Sequence, residues 1–282
     1  MMGANRKVEN EDVVSKVGRM KVKTVELKGN KGVLKIEDTD VYFVNSLRRV
    51  MLAELPKLAI DEVIIYDNTS ALFDELISHR LGLIPIPTDL QLLAFRKECK
   101  CEGKGCPSCT VRYTLSKEGE GTVFSGDLQP EVPSFAITET KIPIVELMKD
   151  QRVILEVEAV LGRGRDHAKW QVVLAPRYRM ETTITIDKKR INDVKSFIEE
   201  LPKDLVELKG DKLELKDPSK IAMLESYLDK NKVDYITIDK NPSKLMFSFE
   251  TDGSMGAKAA LQESVAILTK KYEEFRGLLK DL

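Results

Sequence analysis

The first part of the chain shows strand-like and helix-like patterns in turn. Apolar residues alternate with polar ones over 21–27, and a mainly apolar run follows over 33–36, with a glycine-containing turn between the two. This arrangement predicts a β-hairpin. From 41 to 55 the apolar positions recur at helical spacing until a proline ends the predicted helix. A strand over 59–66 and an amphipathic helix over 70–81 follow.

Farther along, the pattern is mostly β, with one α+β segment. Apolar runs predict strands over 111–115, 142–144, 153–161, 170–174 and 180–186. Lysine and acidic residues then dominate up to residue 242, where the order helix, hairpin, helix, strand indicates a small α+β insert. Its predicted elements are 193–201, 206–215, 219–230 and 233–238.

A last strand, 245–250, precedes a long final helix that runs nearly to residue 282. The apolar positions of this helix are Leu261, Val265, Leu268, Tyr272, Phe275 and Leu279. They lie alternately four and three residues apart, which is the spacing of a seam that one helix presents to another. Either this stripe packs along the sheet of its own domain, or part of it meets a partner chain.

Composition removes several classes of function. Lys and Arg number 45 and Asp and Glu 46, so the net charge is −1, which disfavours a sequence-independent nucleic-acid binder. Aromatic residues make up only 6%, which argues against a base-stacking surface. No apolar run is long enough to span a membrane, and we predict that residues 1–20, which are polar and lack a signal core, are a flexible tail. We therefore expect a cytoplasmic protein.

All four cysteines lie in one short loop, at Cys99, Cys101, Cys106 and Cys109. This cysteine quartet can surround one tetrahedral ion and fill all four positions, which favours one structural Zn²⁺ over a catalytic site. An iron–sulfur cluster, or reduced thiols or disulfides, are the alternatives; the spacing differs from the ferredoxin runs. The lysines of the loop are offset by glutamates, so contact with DNA is not favoured.

Two basic stretches are the other candidates. Gly162–His167 (GRGRDH) superficially resembles a phosphate loop, but a strand rather than a helix is predicted after it. There are two interpretations of this stretch. It is either a basic hairpin loop, or a site where Arg163, Arg165 and Lys169 contact a subunit or a phosphate. Arg48 and Arg49 lie within the first helix, either on its solvated face or as a docking site for another protein.

Catalytic constellations are not recognisable in the sequence, so we predict no catalytic residue. The two histidines, His79 and His167, lie on different predicted elements and lack a nucleophile context. His79, beside Arg80, is interpreted as a structural side chain or a subunit contact. The sequence contains neither an Asp-x-Asp pair suited to a metal, nor a Walker lysine, nor a nucleophile elbow.

Four blocks, in order, resemble one family. Residues 45–52 (NSLRRVML), 74–85 (DELISHRLGLIP), 162–170 (GRGRDHAKW) and 249–254 (FETDGS) are similar to motifs of the α-type subunits of RNA polymerase. That family includes the bacterial α N-terminal region, the third-largest eukaryotic subunit and their archaeal counterparts, which the chain resembles most. The first two blocks are highly specific, and the four together frame nearly the whole chain.

The resemblance implies a non-catalytic assembly subunit of DNA-directed RNA polymerase. It would form a heterodimer with subunit L, and the pair would recruit the small subunits N and P and the two large catalytic subunits. The implied contact residues on the first and last helices are Asn45, Leu47, Arg48, Arg49, Met51, Leu261, Val265, Leu268, Tyr272 and Phe275. Further subunit-contact candidates are His79, Arg80, Arg163, Arg165, His167 and Lys169.

The implied fold is α+β and discontinuous. A dimerisation domain would combine 21–66, 178–190 and 245–282, and a β-rich domain over 67–177 would carry the metal loop 99–109. Relatives often bind iron–sulfur clusters in a ferredoxin-like insert, but here residues 191–244 contain no cysteine. The insert would then be held by an apolar core of Phe197, Ile198, Leu201, Leu224 and Leu228. A zinc-dependent nucleic-acid-binding regulator and a redox protein are the rival hypotheses.

Overall fold

The computed structural model describes residues 20–210 and 212–280, so the predicted tail, apart from Met20, lies outside the described residues. The α-helices are α1 (Val41–Ala53), α2 (Asp74–Gly82), α3 (Ile191–Glu200), α4 (Ile221–Lys230) and α5 (Ala257–Leu278). The strands are β1 (Lys21–Lys28), β2 (Lys31–Glu37), β3 (Pro56–Asn68), β4 (Thr110–Glu118), β5 (Gly121–Phe124), β6 (Gln129–Pro130), β7 (Pro143–Leu147), β8 (Arg152–Arg163), β9 (Val173–Ile186), β10 (Val206–Lys209), β11 (Lys212–Leu215) and β12 (Ile236–Thr251). The chain is therefore α+β, as predicted.

Two four-stranded sheets dominate the structure. One has the order β1-β2-β12-β9 and the other the order β3-β8-β4-β6, while β5-β7 and β10-β11 form two-stranded sheets. In the second large sheet, β8 pairs antiparallel with β3 on one side and with β4 on the other. These long antiparallel pairings place the start of β4, directly after the cysteine loop, at the centre of the sheet.

Two of the predicted strand boundaries are wrong. The prediction of a strand over 170–174 fails because Ala168–Trp170 forms a 3₁₀ turn, and β9 begins only at Val173. The indole N–H of Trp170 donates to the Val160 carbonyl at 3.1 Å, which fixes this turn. The strands predicted over 233–238 and 245–250 are one strand of 16 residues, β12. The φ of a proline is compatible with extended backbone, so Pro242 does not end it.

The described chain forms two compact units. The larger unit combines three segments, Val22–Lys35, Tyr42–Tyr178 and Phe247–Leu282. Among the described residues, the smaller unit comprises Met20, Lys21, Ile36–Val41 and Arg179–Met246. The strands β2, β9 and β12 contribute residues to both units.

The smaller unit has its own apolar core. Of the five residues predicted for the core of the insert, Phe197, Leu201, Leu224 and Leu228 are buried, and Ile198 is partly buried against them. Each buried leucine or phenylalanine contributes about 1.5–3 kcal/mol relative to an exposed one. The order α3, β10, β11, α4 and β12 matches the predicted order of elements.

An ion pair in the larger unit joins β3 to the turn that precedes α5. The Lys57 ammonium lies 2.5 Å from a carboxylate oxygen of Asp252, and the two side chains are 4% and 14% exposed. Asp252 also accepts hydrogen bonds from the backbone N–H and the hydroxyl of Ser254. Removing one partner of such a pair leaves a charge buried without compensation. The pair therefore fixes the last segment of the larger unit against the middle one.

We expect Asp252→Asn to lower the free energy of unfolding by about 3–5 kcal/mol, because Lys57 would keep a buried charge without a counter-ion. Guanidinium unfolding followed by circular dichroism measures this change. The double variant Lys57→Met with Asp252→Asn is the control, since it removes both charges, and we expect it to recover much of the loss. A single variant as stable as the parent chain would contradict the structural importance of this pair.

Candidate functional site

The cysteine loop connects α2 to β4 and is closed on itself. The Ala94 N–H donates to the Ser108 carbonyl at 2.8 Å, which joins its two ends. Gly103 and Gly105 both have a φ of +83°, a conformation that costs glycine little. These glycines allow the backbone to turn back between the two halves of the quartet.

The four sulfur atoms form a cluster of the size that a tetrahedral metal requires. The Sγ atoms of Cys99 and Cys106 are 3.5 Å apart, those of Cys101 and Cys109 3.6 Å, and those of Cys106 and Cys109 3.8 Å. All four lie within 4.8 Å of one another. Zn–S bonds of about 2.3 Å imply sulfur–sulfur separations of about 3.8 Å in a regular tetrahedron. The cysteine quartet therefore fits one ion with four thiolate ligands.

Two of the four thiols have pKa values shifted in opposite directions. Burial raises the pKa of Cys101, but hydrogen bonds from the Cys109 and Cys99 thiols and from the Gly105 N–H lower it to about 6. For Cys99, a backbone hydrogen bond from Cys101 lowers the pKa, whereas contact with the Cys106 thiol and burial raise it to about 11. The arrangement thus stabilises a first thiolate, and a divalent cation would displace the remaining protons.

The candidate residues on α1 divide into a buried and an accessible set. Leu47 and Met51 are 3% and 0% exposed and pack within the larger unit, so they support the helix rather than present a surface. Arg48 donates to the Asn45 amide oxygen at 3.0 Å, and both residues are partly exposed. Arg49 is exposed. Of the five, Asn45, Arg48 and Arg49 remain accessible to another protein.

The stripe on α5 is also divided. The face that packs within the larger unit contains Ala257, Ala260, Ser264 and Leu268, all buried. Leu261 is partly buried, whereas Val265, Tyr272 and Phe275 are 43%, 54% and 60% exposed. Leu278 and Leu279 add exposed apolar surface at the end of the helix. The first interpretation of the stripe therefore holds only for the part of the helix that contains Leu268, and contact of the exposed residues with a partner chain stays a prediction.

The segment Gly162–Trp170 is packed against the end of α1. A Cβ on Gly162 would lie 2.2 Å from the Trp170 ring, and one on Gly164 would lie 2.1 Å from the Leu52 carbonyl oxygen. The Arg165 N–H donates to the Ala53 carbonyl at 3.0 Å. The glycines are thus required by close approach of the chain. The hairpin interpretation is wrong, because the flanking strands β8 and β9 belong to different sheets, so the segment connects two sheets.

Several basic side chains near this segment have intramolecular partners. The Arg163 guanidinium lies 4.3 Å from the centroid of the Phe95 ring. The Lys169 ammonium is 2.5 Å from an Asp61 carboxylate oxygen. Arg80, on α2, donates to the Ile144 carbonyl at 2.6 Å.

Both histidines line one cleft of about 250 Å³, together with Asp61 and Lys169. His79 comes from α2 and His167 from the loop between β8 and β9, and both are exposed. The structure therefore brings together two residues that lie on separate elements in the sequence. The family blocks at 74–85 and 162–170 are the signal that could have placed them side by side.

Glu54, which carries no motif in the sequence, joins α1, this loop and α5. Its carboxylate lies 2.9 Å from the Lys271 ammonium and 3.4 Å from the Arg165 guanidinium. Burial raises the pKa of Glu54, but Lys271, Arg165 and Arg163 lower it overall. Because this pKa is lower in the folded than in the unfolded chain, the network contributes stability that is lost as the pH falls.

Comparison with known proteins identifies the family. Residues 62–188 match the RNA polymerase Rpb3/RpoA insert domain family. A DNA-directed RNA polymerase subunit Rpo3 from Picrophilus torridus is 35% identical over 271 residues, covering 92% of this chain and 98% of that protein. The chain belongs to the Rpo3 family of DNA-directed RNA polymerase subunits.

Other Rpo3 proteins show the same extent of similarity. The Rpo3 subunit of Methanosarcina acetivorans is 35% identical and covers 93% of this chain and 99% of its own length. The Rpo3 subunit of Pyrobaculum neutrophilum is 41% identical, and the alignment covers 84% of this chain and 86% of that protein. Membership of the Rpo3 family confirms the predicted polymerase subunit and gives no support to the zinc-dependent regulator. Within the described residues, helices with the length and apolar character to cross a membrane are absent.

We expect Gly164→Ala to destabilise the chain by about 1–3 kcal/mol, because the new methyl group meets the Leu52 backbone carbonyl, which cannot move aside without shifting the end of α1. Urea unfolding followed by tryptophan fluorescence measures the loss. Gly277→Ala is the matched control, since a Cβ there meets nothing within 4 Å. Equal midpoints for the two variants would show that the loop does not depend on this close approach.

Proposed function

We propose that this chain is the non-catalytic assembly subunit of the polymerase, which pairs with subunit L and forms the platform for the other subunits. The observation that carries the proposal is the exposed apolar end of α5. Tyr272, Phe275 and Leu278 are 54%, 60% and 68% exposed on a helix whose opposite face is packed within the chain. Such a surface is expected where a partner covers it.

The accessible part of α1 is proposed to dock a large catalytic subunit. Arg49 is exposed, and Arg48 is held by its hydrogen bond to Asn45. Arginine suits this role because its planar guanidinium pairs with carboxylates through two hydrogen bonds. His79, Arg80, Arg163, Arg165, His167 and Lys169 are proposed to lie at or behind a second contact with the small subunits N and P or the large subunits.

The cysteine quartet is proposed to hold one structural Zn²⁺. The four thiolates would occupy all four tetrahedral positions, so the ion would stabilise the loop without taking part in chemistry. The cysteine-free insert is proposed to keep a ferredoxin-like fold through its apolar core, without a cluster. We also propose the domain division that the resemblance implies, and we propose that the protein acts in the cytoplasm.

Aspartate substitutions on α5 test the pairing. We expect Tyr272→Asp combined with Phe275→Asp to weaken the complex with subunit L at least about 100-fold, because two charges would be buried in an apolar interface. Co-purification with L, followed by light scattering of the purified sample, measures how much of the complex forms. Leu268→Asp is unsuitable, because Leu268 is 7% exposed within this chain and the variant would disturb folding.

Met148→Asp serves as the matched control, since Met148 is 61% exposed in the turn between β7 and β8. We expect it to pair with L like the parent chain. If the α5 variant also pairs normally, the end of α5 is not the interface, and if the parent chain itself does not bind L, the assembly proposal fails.

We expect about one zinc and no iron per chain, measured by elemental analysis of the purified full chain. Cys101→Ser and Cys109→Ser should each lose the metal, because three thiolates bind zinc far more weakly than four. Iron together with visible absorbance would overturn the zinc assignment in favour of a cluster. A metal-free parent chain would overturn the metal site altogether.

A further inference from the structure

The sheet beneath the cysteine loop contains a charge conflict. Glu62 on β3 is the direct cross-strand partner of Glu158 on β8. Like charges placed opposite each other destabilise an antiparallel pair. On its other side, Glu158 is the partner of Arg112 on β4, which donates to it at 3.0 Å. Glu62 has no such neighbour on its own sheet, because β3 is the edge strand.

The missing cation comes from the cysteine loop. Arg96 lies three residues before Cys99, and its Nη1 is 3.0 Å from the Glu62 carboxylate and 3.5 Å from that of Glu158. A single guanidinium therefore contacts both opposed carboxylates, and together with Arg112 it balances their two negative charges. The side chains of Arg96 and Glu158 are 26% and 16% exposed, so their contact is partly shielded from water, whereas Glu62 is 58% exposed.

The same guanidinium also contacts the backbone of the cysteine loop. The Nε of Arg96 donates to the Gly103 carbonyl at 3.0 Å. A Cβ on Gly105 would lie 3.1 Å from Nη2, so the guanidinium packs directly on the Gly105 backbone. Gly103 and Gly105 lie in the loop between Cys101 and Cys106. Arg96 thus fixes the short backbone segment that connects two of the four proposed metal ligands.

We propose that Arg96 is the positioning residue of the metal centre and that it couples metal binding to the pairing of β3 with β8. The inference rests on the metal site proposed above. A bound ion fixes the loop, the loop fixes Arg96, and Arg96 offsets the repulsion between Glu62 and Glu158. In the opposite direction, the two carboxylates hold Arg96 where it orders Gly103 and Gly105. Partners beyond the ligands commonly change metal affinity by about 10–100-fold.

Three variants of the full chain separate this role from general stability. Arg96→Ala should weaken Zn²⁺ binding about 10–100-fold in competition with a chromophoric chelator. Arg112→Ala is the matched control, since Arg112 binds the same Glu158 but lies on β4 outside the loop, and its metal affinity should match that of the parent. Arg96→Ala combined with Glu62→Gln removes the charge conflict, so it should restore the stability of the sheet but not the affinity for zinc.

Hydrogen exchange supplies the second measurement. In the parent chain, added Zn²⁺ should slow exchange of the β3 and β8 amides, and in Arg96→Ala it should not. The inference is overturned if Arg96→Ala binds zinc as tightly as Arg112→Ala does, or if the double variant regains full affinity. A parent chain that binds no zinc would overturn the metal site and this inference together, whereas normal zinc binding without an Arg96 effect would overturn the inference alone.

Discussion

A charge removed from water needs a partner inside the protein, and in the larger unit that requirement is met by Lys57 and Asp252. The two residues belong to the middle and the last segment of the unit, and backbone hydrogen bonds around them join these same two segments at further points. The Asp252 N–H donates to the Val172 carbonyl, and the Thr88 N–H donates to the Ser254 carbonyl. Since α5 begins directly after this turn, the ion pair also determines where the proposed interface with L can lie.

The metal loop and the exposed helix serve different physical purposes within the same unit. The loop is closed by its own hydrogen bonds and brings four sulfur atoms within 4.8 Å of one another, and the ion proposed for them would add rigidity. The end of α5 is apolar and uncovered, so it gains stability only when another molecule buries it. An assembly subunit needs both properties, because it must keep its shape while other subunits bind to its exposed surfaces and displace water from them.

Local spacing explains what could be predicted from sequence and what could not. The cysteine quartet is recognisable because metal ligation depends on intervals within one loop. The buried face of α5 could not be predicted in the same way. It is formed in part by small residues such as Ala260, which contribute little to a hydrophobic pattern, and this leaves Tyr272 exposed. Nothing local marks Lys57 as a buried lysine, since its partner lies in the last part of the chain. The turn at Trp170 depends on its indole ring, which packs over Gly162, and a contact of this kind leaves no periodic pattern in the sequence.

The discontinuity of the larger unit has a consequence for its synthesis on the ribosome. The turn between β1 and β2 is completed by residues made near the end: the Asn30 carbonyl accepts from the Thr251 N–H, and the Gly29 carbonyl from the Ala257 N–H. At ~5–20 residues per second, these partners emerge on the order of tens of seconds after the hairpin. During that interval these two carbonyls have no partner from the last segment. A chain that stops before β12 lacks both hydrogen bonds and also the strand that pairs with β2.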